Sequence, residues 1–237
     1  MTPRTPIWKA IAETLKRAIA EGDYGAGDKL PTEADLAQRF SVNRHTVRHA
    51  IAALAKEGLV HSRRGAGVFV TTTPTDYPIG RRVRFHQNIR AAGRTPAKQV
   101  LLLETRNCKQ DEAEALGIAP SGAVHVYEGL SLSENRPIAL FRSIFPATRF
   151  PDMLDLLREN PSVTAALKHY GIADYTRIST RVNAKLASAT QALHLQITEN
   201  APLLRTVGVN ADADGNPVEI GRTWFAGDKV TLTLADL

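Results

Sequence analysis

The sequence predicts an α+β protein of two unlike units: a helical head that closes with a β-hairpin, and a larger antiparallel sheet with helices against it. Three observations carry this expectation. Within the first 70 residues, apolar side chains recur at helical spacing and give way to two β-prone runs around a glycine turn. Beyond residue 83, strand-like and helix-like runs are mixed, and two polar clusters read as hairpin turns. Between the two regions, Thr71-Thr72-Thr73-Pro74-Thr75-Asp76-Tyr77-Pro78 is polar and holds two prolines, which remove backbone donors and favour extended chain. The expected division is a head at 1–73, a linker at 74–82 and a second unit at 83–237.

In the head, Ile7, Ile11, Leu15 and Ile19 recur every four residues with Lys9, Glu13 and Lys16 between them, one apolar stripe on a first helix that stops near Gly22. Gly25-Ala26-Gly27-Asp28 reads as a loop. Thr32 is a fitting N-cap for a second helix, with Asp35 three residues on in the capping-box place and Ala34, Leu36, Ala37 and Phe40 as its apolar side. After the turn Ser41-Val42-Asn43, Asn43 caps a third helix whose Val47, Ile51 and Leu54 face inward and which Gly58 ends. The runs 59–63 and 68–70, joined through Arg64-Gly65-Ala66-Gly67, read as a hairpin.

In the second unit, strands are expected over 99–106, 124–133, 138–145, 177–186, 203–210 and 218–225. Helices are expected over 85–92, 111–116, 151–159, 162–170 and 187–193. Ser133-Glu134-Asn135-Arg136 and Asp212-Ala213-Asp214-Gly215-Asn216 are the two hairpin turns.

Composition narrows the function. The 237 residues carry a net charge of +6, and 43% are hydrophobic, a globular mix. One cysteine, Cys108, excludes an internal disulfide framework and a cysteine zinc finger, and is expected to be a quiet thiol. No run nears the ~20 apolar residues of a membrane span, and the N-terminal segment is amphipathic rather than a signal peptide. A soluble, cytoplasmic protein is expected. The charge is unevenly spread: 11 basic and 8 acidic side chains at 1–78, 8 and 1 at 79–109, and 11 and 15 at 110–237. The motifs G-x-S-x-G, H-E-x-x-H, G-x-G-x-x-G and the P-loop do not occur, and the seven histidines are scattered. No catalytic residue, metal or cofactor is expected.

Two short helices followed by a hairpin form a winged helix-turn-helix, whose second helix enters the DNA major groove N-terminus first. That N-terminus is Asn43-Arg44-His45-Thr46-Val47-Arg48. Arg44 and Arg48 are four apart and share a face, with His45 beside them. Arginine presents a planar fork to guanine O6 and N7, while Asn43, His45 and Thr46 can donate to bases or phosphates. Arg63, Arg64 and Gly65 stand at the wing tip, within reach of backbone or minor groove. The plain alternative is a solvated face of surface arginines. The coincidence of helix face, turn and basic wing in this order favours DNA.

The motif series Gly25-Ala26-Gly27-Asp28-Lys29-Leu30-Pro31-Thr32-Glu33, Val42 to Arg48, Leu54 to Gly58 and Arg64 to Val70 resembles the GntR family of bacterial transcription regulators. The resemblance implies DNA contacts from Arg44 to Arg48 and at Arg64 and Gly65. Ala34 stands where many family members carry a further DNA-contacting arginine, so that contact is not expected. From about Tyr77 to the end, Arg136-Pro137-Ile138, Phe145-Pro146, Tyr170-Gly171-Ile172 and Asp214-Gly215-Asn216-Pro217-Val218-Glu219 with Asp228 resemble the UTRA ligand-sensing domain of the HutC subfamily, which implies a fold like chorismate lyase. Asp76-Tyr77-Pro78, Arg84-Phe85, Gln87-Asn88 and Val42-Asn43-Arg44-His45-Thr46 are similar to the motifs of phosphonate-metabolism regulators of that subfamily.

Arg81, Arg82, Arg84, Arg90 and Arg94 crowd one stretch after the linker. They either add to DNA affinity or, Arg84 first, hold an anionic ligand bidentately. Ser162 and Thr164 open a helix and offer hydroxyls and free backbone N–H groups to an anion, beside a plain N-cap role for Ser162. Tyr127, Arg142, Glu219 and Arg222 lie on expected strands and are candidates for the same pocket; each alone is as well read as a surface ion pair or edge residue. Related sugar-phosphate sensors carry arginines where this chain has Gly129 and Ser131, which argues against an amino-sugar phosphate.

The expectation is a homodimeric repressor of phosphonate and phosphorus-compound genes. It would bind a pseudo-palindromic double-stranded operator and be released by a small anion, a phosphonate or phosphate ester. Alternatives are a sugar-phosphate- or carboxylate-sensing repressor of the same subfamily, or a lyase-like enzyme tethered to a DNA-binding head.

Overall fold

The computed structural model describes residues 6–63, 65–71 and 74–234, and the chain divides into two compact units, Met1–Thr73 and Pro74–Leu237. No described helix is long and apolar enough to cross a membrane.

The first unit contains α1 (Ile7–Ala20), α2 (Glu33–Phe40), α3 (Arg44–Lys56) and the antiparallel hairpin of β1 (Val60–Arg63) and β2 (Gly67–Val70). Ile11 and Leu15 are buried together with Leu36, Val47, Ile51 and Leu54. The expected α1 stripe holds except at its first turn, where Ile7 is 63% exposed; Trp8 packs there instead, its ring stacked 4.1 Å from that of His49. The capping box of α2 forms as its sequence requires: the Thr32 hydroxyl accepts from the Asp35 amide at 3.2 Å, and the Asp35 carboxylate accepts from the Thr32 amide at 3.1 Å. Thr32→Ala is expected to lower head stability by about 1 kcal/mol, read as a fall in the midpoint of thermal unfolding.

The second unit is a six-stranded antiparallel sheet in the order β4-β5-β6-β9-β8-β7. Its strands are β4 (Pro96–Asn107), β5 (Ala123–Ser133), β6 (Arg136–Pro146), β7 (Thr176–Leu186), β8 (Pro202–Ala211) and β9 (Pro217–Ala226). The β5–β6 turn places Glu134 and Asn135 at φ 51° and 58°, the left-handed pair that a two-residue hairpin needs. One face carries Tyr127, Phe141 and Phe145 beneath α6 (Met153–Glu159) and α7 (Val163–His169). The other carries Leu130, Leu140 and Ile144 beneath α5 (Gln110–Leu116) and α8 (Ala189–Leu195).

Part of the expected linker is a strand. β3 (Thr75–Pro78) pairs in parallel with β10 (Val230–Thr233), a strand the sequence reading also missed. Thr75 and Tyr77 alternate inward while Asp76 and Pro78 face out, and Tyr77 packs 5.0 Å from the ring of Phe225. The proline that marked a linker is tolerated at the end of a short edge strand. After β3, α4 (Phe85–Ala91) leads into β4.

Gly129, at the centre of β5, is where the sheet admits no side chain. A Cβ there meets the Gln99 carbonyl oxygen and stands 2.8 Å from Cζ of Phe141. Gly129→Ala is expected to cost about 1–3 kcal/mol in urea unfolding, because backbone and a buried ring must both give way.

Candidate nucleic-acid interface and ligand cavity

The N-terminus of α3 is built by Asn43, whose Oδ1 accepts from the Thr46 amide at 2.8 Å and from its hydroxyl at 2.9 Å. Asn43 and Thr46 thus cap the helix, and Asn43, Arg44, His45 and Arg48 are all exposed on its outer side. Arg48 is not loose. Its Nε and Nη2 donate to the Glu33 carboxylate of α2 at 3.2 and 2.8 Å, and that hydrogen-bonded pairing holds Glu33 below the usual carboxylate range. Glu33 therefore presents Arg48 in a fixed pose one helical turn beyond Arg44.

On the hairpin, Arg63 Nε donates to His61 Nε2 at 3.1 Å and its guanidinium lies 4.9 Å from the Phe69 ring centre. Gly65 is exposed at φ 74°, a conformation suited to glycine at a tight tip. Arg64 lies outside the described residues. Lys29 was missed by sequence reasoning: its side chain lies across Gly67, where a Cβ would stand 2.7 Å from Lys29 Cε, adding a cation to the same hairpin.

In the second unit, α7, the start of α4 and the α6 face of the sheet line a partly open cavity of about 100 Å³. Four sequence candidates meet there: Arg84, Ser162, Thr164 and Glu219. Arg84, 8% exposed, donates from Nη2 to the Tyr175 carbonyl at 2.7 Å and to Asp174 at 3.2 Å, and stacks 3.4 Å over the Tyr175 ring. Ser162 caps α7 by accepting from the Ala165 amide at 3.3 Å, and the Thr164 hydroxyl bonds that of Tyr175 at 2.9 Å. Glu219 is buried and accepts from the Ser143 hydroxyl at 2.5 Å and from Asn210 at 2.6 Å.

Three candidates do not line the cavity. Tyr127 is on the same sheet face but sealed beneath the lead into α7, its hydroxyl donating to the Pro161 carbonyl at 3.3 Å. Arg142 and Arg222 lie away from the cavity. They oppose one another across β6 and β9, one residue out of phase with the cavity-facing Ser143, Gly221 and Thr223. Strand alternation points both to the α5 side, where Arg142 pairs with Glu128 at 2.6 Å and Arg222 with Asp111 at 2.7 Å.

Lys98, Arg177 and Asn210 complete the cavity and were not foreseen. Lys98 Nζ donates to Ser131 at 2.8 Å and lies 3.6 Å from the Phe141 ring centre; burial pushes its pKa down to about 7 against the raising pull of Glu219. Arg177 spans Gly208, which leaves room for it, and donates to Asn210 Oδ1 at 3.3 Å. Burial also raises the Tyr175 hydroxyl to about 12. The wall is thus rich in cations and neutral donors, with Glu219 as its carboxylate.

A winged helix-turn-helix head and a sheet unit holding a charged cavity define a ligand-responsive DNA-binding regulator. Residues 8–70 match the gntR family of bacterial regulatory proteins and residues 91–231 match the UTRA domain. The chain belongs to the GntR family, in its UTRA-bearing HutC branch, and is a transcription regulator rather than an enzyme. It is 38% identical to an uncharacterized HTH-type transcriptional regulator of Rhizobium meliloti (strain 1021), over 96% of this chain and 94% of that one. It is 32% identical to the probable transcriptional regulator PhnF of Escherichia coli (strain K12), over the same shares of the two chains. The crystal structure of PhnF from Mycobacterium smegmatis superposes with a TM-score of 0.66 at 26% identity, covering 96% of this chain and 99% of that one.

Proposed function

We propose that the chain is a homodimeric, cytoplasmic repressor of genes for uptake and metabolism of phosphonates or related phosphorus compounds, released from its operator by a small phosphonate or phosphate ester. The observation that carries this reading is the convergence of Arg84, Lys98 and Arg177 on one cavity lined by serine, threonine and tyrosine hydroxyls. Guanidinium and ammonium groups with several neutral donors suit an oxyanion. The likeness of the short motifs at 42–46, 76–78 and 84–88 to phosphonate-metabolism regulators supports the phosphorus chemistry.

At the other end of the chain, Asn43, Arg44, His45, Thr46 and Arg48 read the major groove, and Arg63, Arg64 and Gly65 steady the wing. Two heads would read half-sites one DNA turn apart, roughly 34–36 Å. Release requires only that the effector bind the DNA-competent and incompetent states with different affinity.

Gel-shift titration tests the reading, with DNA from upstream of the chain's own coding region and alkylphosphonates, phosphate esters, sugar phosphates and carboxylates as competitors. Release by the first two classes is expected. Release by a sugar phosphate or carboxylate alone would move the protein to the other effector classes, and failure to retard any upstream fragment would overturn operator binding there.

A further inference from the structure

Within the cavity, Lys98 and Glu219 form a pattern that a simple anion does not satisfy. The Lys98 ammonium rests against the faces of Phe141 and Phe85, 3.6 and 4.4 Å from the ring centres, and donates to Ser131. The Glu219 carboxylate takes its hydrogen bonds from Ser143 and Asn210. All of these partners are uncharged. Among the described residues, neither group is in an ion pair; Arg177 is linked to Glu219 through Asn210, which accepts from Arg177 on one side and donates to Glu219 on the other.

A carboxylate and an amine that an oxyanion beside it would keep protonated therefore face one space, each partly stripped of water and without direct contact with a counter-charge. Such groups are costly until something pairs them. A wholly anionic ligand would pair Lys98 but add repulsion at Glu219. A ligand carrying a cation at one end and an oxyanion at the other complements both.

We propose that the cavity takes a small zwitterion: a primary ammonium on Glu219, and a compact oxyanion toward Lys98 and Arg84, joined by a short chain. This deepens the phosphorus-anion reading above and rests on it.

The test is calorimetric titration of the full chain at neutral pH with three matched probes: 2-aminoethylphosphonate, ethylphosphonate and ethylamine. The aminophosphonate is expected to bind roughly tenfold to hundredfold more tightly than ethylphosphonate, the range for one hydrogen-bonded charge pair. Ethylamine should bind more weakly than either. Glu219→Gln should bring the two phosphonates to equal affinity. Lys98→Met should weaken both phosphonates alike and keep the preference for the amine, so the idea stays testable if one variant fails to fold. Equal binding of the two phosphonates to the wild-type chain overturns the zwitterion while leaving an anion effector standing. A preference that survives Glu219→Gln overturns the assignment of Glu219. No binding by any probe removes both the zwitterion and the phosphonate effector.

Discussion

Alanine at both Arg44 and Arg48 is expected to abolish sequence-specific operator binding with little effect on the stability of the head. The two arginines project from one side of α3, which Asn43 caps and which Val47, Ile51 and Leu54 anchor in the core. Each bidentate arginine–guanine contact discriminates by roughly tenfold to a hundredfold, so losing two brings binding close to the non-specific level. Both side chains are exposed, and the Arg48–Glu33 pair is a surface ion pair of the kind that adds little to folding. Fluorescence anisotropy on operator and scrambled duplexes measures the loss, and unchanged discrimination between the two would sink the recognition-helix assignment. Glu33→Gln supplies a graded version. It frees Arg48 to sample other rotamers, and binding then has to restore the order that Glu33 supplies, a penalty of roughly twofold to tenfold in affinity.

The head was legible because each local signal agrees with its packing. Thr32 and Asp35 are a capping box in sequence and in space, and Val47, Ile51 and Leu54 point where their spacing says. The antiparallel sheet was legible for the same reason, since long apolar strands met at turns whose residues tolerate left-handed backbone. What failed was non-local. Thr75-Asp76-Tyr77-Pro78 follows one proline, ends on another and reads as linker, and only its pairing with Val230–Thr233, some 150 residues on, makes it a strand.

The cavity was half legible. Arg84 and Glu219 stood out as charged residues in short motifs. Arg142 and Arg222 were candidates only by lying on expected strands, yet one-residue phase on a strand decides which face a side chain takes, and spacing within β6 and β9 does not say which face holds the cavity. Lys98 gave no motif at all. Counting phase from Ser131, its register partner on β5, would have placed it beside that hydroxyl.

The same one-residue phase brings Arg222 to a buried carboxylate on α5. Glu112 on α5 has no exposed side-chain surface. Arg106 donates to both its carboxylate oxygens at 2.7 and 2.9 Å, the Lys109 amide adds a bond at 2.9 Å, and Arg222 approaches at 3.5 Å from β9. Glu112→Ala leaves two arginines facing a hole, and the expected loss is about 3 kcal/mol, the low end for a broken buried pair because Arg106 remains a quarter exposed to water. The arginines and the Lys109 amide outweigh burial and hold the Glu112 carboxyl below its ordinary value of 4.5. A carboxyl that titrates lower when folded contributes its stability above the unfolded value, and loses it as the pH falls through the folded one. Glu112→Gln keeps the shape without the charge. The gap in urea midpoint between wild type and Glu112→Gln should therefore be full at about pH 6 and narrow steadily below about pH 4.5. A gap that stayed constant across that range would mean that Glu112 stabilises the fold by shape and hydrogen bonding alone, without its charge.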